Sequence, residues 1–362
     1  MRPTWAEIDL DAVKHNFMHT KEIVGANVSV LSVVKADAYG HGAVEVSKAL
    51  IEAGTDMLGV AIVEEALELR DYGIEVPIIL LGGIRSDEAH LAVEYDLTPF
   101  VFSIDVARAL ESESEKAQKK TSYHIKFDTG MTRLGVRPED SAPFLDELTK
   151  FKNIVMQGVV THLSTAFTDL DENTYNQIKA LNDLVELVRS KGFEPSYIHA
   201  ANSAAIQKYP ESRYNLVRPG IVLYGSGNYS GLDLKPVMKL KSRIIQLSRV
   251  PSGTPVSYGG KFVTTQPSII ATIPVGYADG YTRMLSSKGV VSIKGTLAPV
   301  VGDVCMDFIM VDVSNIEDIN VGDEVVLFGD DLISVIDLAQ MANTISYELL
   351  SNIGKRVPRK YL

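Results

Sequence analysis

Short apolar runs alternate with longer amphipathic stretches from residue 5 to about residue 225, and this alternation restricts the possible folds more than any other feature. Strands that are buried on both faces and alternate with helices are typical of parallel βα units. Eight such units predict an α/β fold, a (β/α)8 TIM barrel. The predicted strands are Val28–Val34, Met57–Ile62, Pro77–Leu81, Pro99–Phe102, Tyr123–Phe127, Met156–Thr161, Tyr197–His199 and Leu216–Leu223.

The stretches between these runs have helical periodicity. In the clearest one, Asn173–Ser190, apolar residues recur at spacings of three and four, and Gly192 follows as a stop signal. The other predicted helices are Asp9–Ile23, Ala43–Ala53, Val63–Asp71, Asp87–Tyr95, Ile104–Gln118 and Glu139–Phe151.

From about residue 230 the pattern changes to short strands separated by glycine, proline and aspartate, which predicts a smaller, mostly antiparallel β domain. Single cores stop growing at roughly 250 to 300 residues, so 362 residues favour two domains, which we place at 1–230 and 231–362. The predicted strands of the second domain are Val237–Leu247, Ser268–Val275, Val290–Ile293, Pro299–Val301, Phe308–Val313 and Glu324–Phe328, followed by a helix over Val335–Leu350.

Composition excludes several classes of partner. The formal net charge of −11 opposes binding to phosphate backbones, and no basic stripe overrides it. No run of about 18 apolar residues occurs, and the stretch MRPTWAEIDLDAV is acidic and amphipathic, unlike a signal peptide. A single cysteine, Cys305, fits a reducing compartment. We expect a cytoplasmic protein with no nucleic-acid or membrane partner.

Polar residues follow the predicted barrel strands at their carboxyl ends, where TIM-barrel chemistry gathers. Lys35 follows the first strand, directly before a turn that contains Asp37, Tyr39 and His41 at alternate positions. It is either a strand-end cation that reaches solvent or an amine whose pKa is lowered by desolvation, which would make it a nucleophile toward carbonyls. Of the later residues, Arg133 lies beyond the fifth strand, His162 beyond the sixth, and Asn202 and Ser203 beyond the seventh, while Arg218 and Gly220 lie at the eighth.

These later residues also allow two interpretations each. Arg133 is a surface cation or an anion clamp, and His162 is a hydrogen-bonded core residue or a planar ring that packs on a cofactor. Ser203 is an ordinary helix N-cap or, with the glycine-exposed amides near Gly220, part of a phosphate site. No second histidine lies at metal-ligand spacing from His162, so we expect no catalytic metal.

The segment VVKADAYGHG, residues 33–42, resembles the lysine motif of the alanine racemases, pyridoxal-phosphate enzymes with an N-terminal barrel and a C-terminal β domain. Further segments resemble that family in the same order along the chain: IKFDTGMTRLG, VVTHLSTA, HAANS, VRPGIVLYG, GTPVSYGG, GYADGYTR, VCMD and RVPRKY. The resemblance implies a homodimer with shared active sites that interconverts L- and D-alanine through a pyridoxal 5'-phosphate aldimine, which supplies D-alanine for peptidoglycan.

The resemblance also implies the roles of individual residues. Lys35 and Tyr258, the latter supplied across a dimer interface, would be the two catalytic bases. Lys126 would be carbamylated and support Arg133. The implied cofactor-binding residues are Lys35, Tyr39, Arg133, His162, Asn202, Ser203, Arg218, Gly220, Ile221 and Tyr361, and the implied substrate-binding residues are Arg133, Met306 and Tyr277.

The resemblance places Arg218 at the ring nitrogen of the cofactor. The chemistry of an arginine at that position independently favours racemisation. An arginine does not give up its proton, so the ring nitrogen stays largely neutral and the ring is a weaker electron sink. A short-lived carbanion suits the return of a proton to the same carbon better than transamination or elimination. Most other pyridoxal enzymes place a carboxylate there.

Two positions depart from the family pattern, and three alternative functions stay open. Thr132 stands where many relatives have glycine, and Asp303 stands where many have an arginine that narrows the approach channel. The reversed charge leaves room for a racemase that prefers serine or other small amino acids. A basic-amino-acid decarboxylase is disfavoured by Arg218, and a non-enzymatic cofactor carrier would have no use for Tyr258 or the VCMD segment.

Overall fold

The structure is a computed structural model that describes residues 3–168, 171–227 and 233–362. Its strands, in chain order, are β1 (Trp5–Ile8), β2 (Ser29–Val33), β3 (Met57–Val60), β4 (Ile78–Leu80), β5 (Leu97–Val101), β6 (Thr121–Lys126), β7 (Ile154–Val160), β8 (Tyr197–His199), β9 (Leu216–Val217), β10 (Met238–Arg243), β11 (Gln246–Val250), β12 (Pro255–Val256), β13 (Phe262–Val263), β14 (Ser268–Ile273), β15 (Val290–Ile293), β16 (Thr296–Pro299), β17 (Ile309–Asp312), β18 (Glu324–Phe328) and β19 (Arg359–Tyr361).

The helices are α1 (Leu10–Val24), α2 (Lys35–Gly40), α3 (Ala43–Glu52), α4 (Val63–Asp71), α5 (Ala89–Glu94), α6 (Ile104–Lys116), α7 (Ser141–Leu148), α8 (Glu172–Ser190), α9 (Ser203–Lys208), α10 (Val335–Met341) and α11 (Ser346–Ser351). Within residues 3–168, 171–227 and 233–362, no helix combines the length and the apolar character needed to cross a membrane.

Strands β2 to β9 form one parallel sheet in the order β8-β7-β6-β5-β4-β3-β2-β9. The sheet curves round so that β9 pairs with β2, and a bridge between Asn202 and Arg218 joins the segments that follow β8 and β9. All eight predicted barrel strands are present, so the predicted TIM barrel is confirmed. The predicted strand Leu216–Leu223 is too long, because Pro219 and Gly220 interrupt it and Ile221–Tyr224 forms a 3-10 helix.

The barrel core has the composition that buried parallel strands require. Every residue of β3, β4 and β5 is buried, and α8 buries the apolar face that its periodicity predicted, with Ile178, Leu181, Val185 and Val188 inside. Burial of apolar surface on this scale is the main favourable contribution to folding. The rigid barrel fixes the ends of its strands, where the polar residues gather.

The strands in the second half of the chain are mostly antiparallel, as predicted, but one of their sheets also includes a strand from near the N-terminus. Its largest sheet has the order β16-β15-β18-β10-β1-β19, in which β1 pairs antiparallel with β10 and parallel with β19. Neither of the strands Trp5–Ile8 and Arg359–Tyr361 was predicted from the sequence. These strands join the two ends of the chain, with Ile8 opposite Tyr361.

Several predicted elements of the second half differ in detail. The predicted strand Val237–Leu247 is two strands, β10 and β11, and the strand expected at Pro299–Val301 lies at β16 instead. The helix expected over Val335–Leu350 is divided into α10 and α11 at Asn343, whose φ of 54° lies in the left-handed region. The expected domain boundary at residues 230 and 231 lies outside the described residues.

Candidate active site

A cavity of about 650 Å³ opens at the carboxyl ends of the barrel strands. Barrel architecture explains its position, because the loops after all the strands meet at this end. The sequence-predicted residues that line it are Lys35, Tyr39, Lys126, Arg133, His162, Asn202, Ser203, Arg218, Gly220 and Ile221. Residues from five different segments of the first half of the chain, at and after β2, β6, β7, β8 and β9, therefore converge on one space.

Lys35 begins α2, a turn with an uncommon backbone. Residues 36–39 all have φ between 52° and 54°, so the turn is left-handed, although none of them is glycine. Each such residue costs roughly 1–2 kcal/mol, and strain of this kind persists only where the surroundings enforce it. Such strain concentrates at functional sites, which makes the turn after Lys35 a candidate for one.

Contacts on three sides hold this turn. The amide of Ala36 donates to Glu65 Oε1 at 2.6 Å, and the amide of Ala43 donates to Asp37 Oδ1 at 2.8 Å. From the second half of the chain, the guanidinium of Arg359 donates to the carbonyl of Gly40 at 2.8 Å. The C-terminal strand thus helps to set the position of Lys35.

The environment of Lys35 favours a neutral amine. Burial lowers the pKa of this amine, and the positive charge of Arg133 lowers it further, while Glu65 opposes both effects. An amine with a lowered pKa is a better nucleophile toward carbonyl groups at neutral pH. This environment agrees with the nucleophile interpretation of Lys35 and not with a strand-end cation in solvent.

Arg218 lies in the wall of the cavity and is almost completely buried. Its Nη2 donates to the carbonyls of Thr161 and Ala200, both at 2.9 Å, and lies 3.4 Å from His162 Nδ1. Burial lowers the pKa of Arg218 to about 9, which leaves the guanidinium charged at neutral pH. Burial, and then the charge of Arg218, keep the pKa of His162 well below its ordinary value, so this ring is neutral at neutral pH.

A buried chain of two histidines continues from Arg218. Arg218 Nη1 lies 2.9 Å from His199 Nδ1, and His199 Nε2 lies 2.9 Å from His124 Nδ1. A guanidinium only donates, so Nδ1 of His199 accepts, its Nε2 carries the proton, and His124 Nδ1 accepts in turn. Burial lowers the pKa of both histidines, which agrees with neutral rings. The chain fixes the orientation of Arg218 without adding a second charge.

The loop after β6 presents Arg133 to the cavity. Asp128 holds the backbone of this loop, because its carboxylate accepts hydrogen bonds from the amides of residues 130–133 at 2.8–3.0 Å. Thr132 has a φ of 55°, a conformation that glycine adopts at little cost, which explains why a glycine suits this position. The Asp128 bonds hold the loop although threonine replaces that glycine.

Lys126 is 5% exposed and lies between two cations. Burial, and then the charges of Arg218 and Arg133, lower the pKa of Lys126 to about 7. A large fraction of this amine is therefore uncharged at neutral pH. An uncharged amine between two arginines is chemically suited to acquire a negative group.

Another part of the cavity lining is a polar corner formed by Asn202, Ser203 and Gly220. Ser203 Oγ accepts from the amide of Gly220 at 2.9 Å, and Asn202 caps α9 through a bond from the amide of Ala205. A Cβ on Gly220 would lie 2.7 Å from the hydroxyl of Tyr39, so glycine is needed for this close approach. Hydroxyl groups and backbone amides in one corner are the donors that a phosphate group requires.

Tyr347 is one of the lining residues that were not predicted from the sequence, and it comes from the second half of the chain. Tyr347, at the start of α11, lines the cavity and its ring centroid lies 5.9 Å from that of Tyr39. Tyr361, the expected terminal tyrosine of the site, is not among the described lining residues. It lies against Gly42, where a Cβ would meet its hydroxyl at 1.9 Å. The only signal for Tyr347 in the sequence is an aromatic residue early in a short helix.

Three other expected site residues lie in the second half of the chain, away from the described lining of this cavity. Tyr258 is 72% exposed, Tyr277 44% and Met306 52%. The amides of Tyr277 and Ala278 donate to the carbonyls of Cys305 and Met306, so these segments are neighbours. Together they form an exposed patch rich in large side chains.

Asp303 lies beside this patch and is ion-paired. Its carboxylate contacts Lys261 Nζ at 3.0 Å and Arg283 Nη2 at 2.9 Å, and its backbone carbonyl accepts from Ser257 Oγ at 2.7 Å. The cations lower the pKa of this carboxylate, although burial opposes them. The negative charge that departs from the family pattern is thus accompanied by two positive ones.

The fold and the cavity define the class: a barrel protein with a desolvated lysine, a buried arginine and a corner of hydroxyl groups and backbone amides at its strand ends. Residues 8–228 match the family model described as alanine racemase, N-terminal domain, and residues 237–361 match the one described as alanine racemase, C-terminal domain. The chain belongs to the alanine racemase family.

Individual relatives resemble the chain over nearly its whole length. A Halothermothrix orenii protein named alanine racemase is 46% identical, with 99% of this chain and 97% of that protein covered. The structure of alanine racemase from Clostridium difficile 630 has a TM-score of 0.95 at 40% identity, with 100% and 96% covered. Bartonella henselae alanine racemase with covalently bound pyridoxal phosphate has a TM-score of 0.92 at 31% identity, with all of both chains covered.

Proposed function

We propose that this protein is a pyridoxal-phosphate-dependent racemase that interconverts L-alanine and D-alanine. The observation that supports this most strongly is the convergence of Lys35, Arg133, His162 and Arg218 on one cavity beside a polar corner. The relatives named alanine racemase support alanine as the substrate. The product would supply D-alanine for peptidoglycan synthesis.

The lining residues fit pyridoxal phosphate. Ser203, the amide at Ile221 and the hydroxyl of Tyr39 would hold the phosphate beside Gly220, whose amide donates to Ser203 Oγ, with Asn202 fixing the start of α9. Arg218 would donate to the ring nitrogen, His162 would pack on the ring, and Arg133 would bind the phenolic oxygen and the substrate carboxylate. Lys35 would hold the cofactor as an imine. When bound, the cofactor supplies an electron sink for the bond to the α-hydrogen.

Two bases on opposite sides of the substrate carbon are needed to invert it. The lowered pKa of Lys35 raises the fraction of its amine that is neutral, and a neutral Nζ can take a proton. Tyr258 Oη would be the second base. We assign the residue to the active site of a second copy, because its side chain is highly exposed and lies outside the described lining of its own cavity.

The proposal therefore includes a homodimer with shared sites. Residues 1–230 would bind the cofactor, and residues 231–362 would complete the site of the partner subunit. The exposed patch around Tyr258 would bring Tyr277 and the backbone amide of Met306 to the substrate. Exposed patches of large apolar side chains commonly mark interfaces. A cytoplasmic location, favoured by the single cysteine, completes the proposal.

Two further assignments concern single residues. We assign Tyr347 to the cofactor phosphate in place of Tyr361, because Tyr347 lines the cavity and packs near Tyr39. We also propose that Lys126 is carbamylated. The neighbouring cations that lower the pKa of the Lys126 amine would stabilise the anionic carbamate, which could pair with Arg133.

The direct test is incubation of the purified protein with pyridoxal phosphate and L-alanine in deuterated water. We expect D-alanine to form with deuterium at the α-carbon, and the Lys35→Ala variant to form none. Parallel incubation with L-serine tests the alternative specificity. Product without α-deuterium, or equal turnover by Lys35→Ala, would contradict the proposal.

A further inference from the structure

Two histidines one helical turn apart on α1 lie next to an aspartate from a distant part of the chain. The rings of His15 and His19 are 4.6 Å apart between centroids, and one potential ligand atom from each of His15, His19 and Asp233 lies within 4.8 Å of the others. His15 Nε2 is 2.8 Å from the backbone carbonyl of Asp233 and 3.6 Å from its Oδ2. None of the three lines the active-site cavity described above.

We propose that His15, His19 and Asp233 form a site for a divalent transition metal ion such as Zn²⁺ or Ni²⁺. Histidines at positions i and i+4 of a helix project from one face and chelate such ions. Two imidazoles and one carboxylate match the donor preference of Zn²⁺ and Ni²⁺, whereas Ca²⁺ and Mg²⁺ require mostly oxygen donors.

The geometry needs only side-chain rotations to accept the ion. Metal–nitrogen distances of about 2.0–2.1 Å in a tetrahedral site separate neighbouring ligand atoms by roughly 3.3 Å. The ligand atoms are already within 4.8 Å of one another, and all three side chains reach solvent, with Asp233 79% exposed. Glu22 Oε2 lies 3.5 Å from His19 Nδ1 but is not among the atoms that lie within 4.8 Å of one another, so water would complete the coordination. On binding, the His15 ring would adopt its other neutral tautomer, with the proton on Nδ1, so that Nε2 gives up its bond to the carbonyl and binds the metal.

The metal ion would link α1 to the segment that leads from the barrel into β10 of the six-stranded sheet. Asp233 precedes β10, and Asn16, between the two histidines on α1, exchanges hydrogen bonds with the backbone of Lys235 at 2.9 Å. Coordination of the metal would connect the same two segments next to these two hydrogen bonds. An ion that binds only the folded state stabilises it, so the melting temperature should rise with metal concentration.

The test uses the full-length protein, freed of metal with a chelator and reloaded with pyridoxal phosphate. Zn²⁺ binding is measured by equilibrium dialysis, and the melting temperature is recorded with and without Zn²⁺. We expect one ion per chain and a rise in melting temperature. We also expect His15→Ala and His19→Ala each to weaken Zn²⁺ binding about tenfold or more, because even the loss of a residue that only supports a metal ligand lowers the affinity by about this factor.

His90→Ala is the matched control, because His90 is an exposed histidine on a different helix, α5. This variant should bind Zn²⁺ as the unmodified protein does. Binding that is absent from the unmodified protein, or that persists unchanged in a His15→Ala/His19→Ala double variant, would overturn the proposal. Neither readout depends on racemase activity, so the proposal and the proposed function fail independently.

Discussion

Lys126 provides the most quantitative prediction, because its environment changes the chemistry of an ordinary amine. With the pKa of Lys126 at about 7, about half of these amines are neutral at pH 7, against roughly one in 3,000 for an ordinary lysine. The neutral amine attacks carbon dioxide, one proton leaves for solvent, and an N-bound carboxylate remains. The reactive fraction at Lys126 is thus increased about a thousandfold or more.

The assay is carbon-13 NMR of the protein in ¹³C-bicarbonate. We expect one carbamate signal that disappears on acidification, and Lys126→Met should lack it. A signal of equal strength in Lys126→Met, or no signal in the unmodified protein, would refute the reasoning. A second readout is the pH dependence of folding stability, measured in buffer without carbon dioxide. Between about pH 7 and pH 10.5 the unfolded state binds more protons than the folded state, because the pKa of Lys126 is lower in the folded state.

The sign of that second effect follows from the lowered pKa. Stability to unfolding should rise with pH through this window, by up to about 5 kcal/mol. Lys126→Met should lose this dependence, because methionine carries no titrating group. The comparison is made by chemical denaturation at several pH values.

Three further predictions concern other residues of the cavity. Tyr347→Phe should weaken binding of pyridoxal phosphate about tenfold while Tyr361→Phe leaves it nearly unchanged, measured by absorbance titration of the cofactor-free protein; the reverse order would restore Tyr361 to the site. Arg218→Glu should reduce racemisation and increase the pyruvate formed by transamination, assayed together on L-alanine; an unchanged product ratio would contradict the electronic argument. Thr132→Gly should stabilise the fold by about 0.5–1 kcal/mol in chemical denaturation, because it relieves a left-handed threonine; a loss of stability would show that the threonine side chain contributes more than the strain costs.

The sequence predicted the barrel because its evidence is local. Each buried strand is a short apolar run, each helix has its own periodicity, and the polar residues that follow strands must meet at one end of the barrel. This is why Lys35, Arg133, His162 and Arg218 were all expected near each other, and they line one cavity.

The features that the sequence did not predict depend on contacts between distant residues. The left-handed turn at residues 36–39 contains no glycine and is held by Glu65 and Arg359. The pairing of β1 with β19 joins the two ends of the chain, and neither strand is long enough to have a clear pattern. Tyr347 reaches the cavity because α11 packs against α2, a contact that no spacing in the sequence reveals.

The division of the proposed active site between two copies of the chain is the central claim, and mixing two inactive variants tests it most directly. Lys35→Ala and Tyr258→Phe proteins are mixed under conditions that exchange subunits, and racemisation of L-alanine is measured. If each site takes Lys35 from one subunit and Tyr258 from the other, mixed dimers contain one intact site, and activity should recover to about one quarter of the unmodified level. If both residues served the same site within one chain, mixing would restore no activity, and that result would contradict the account.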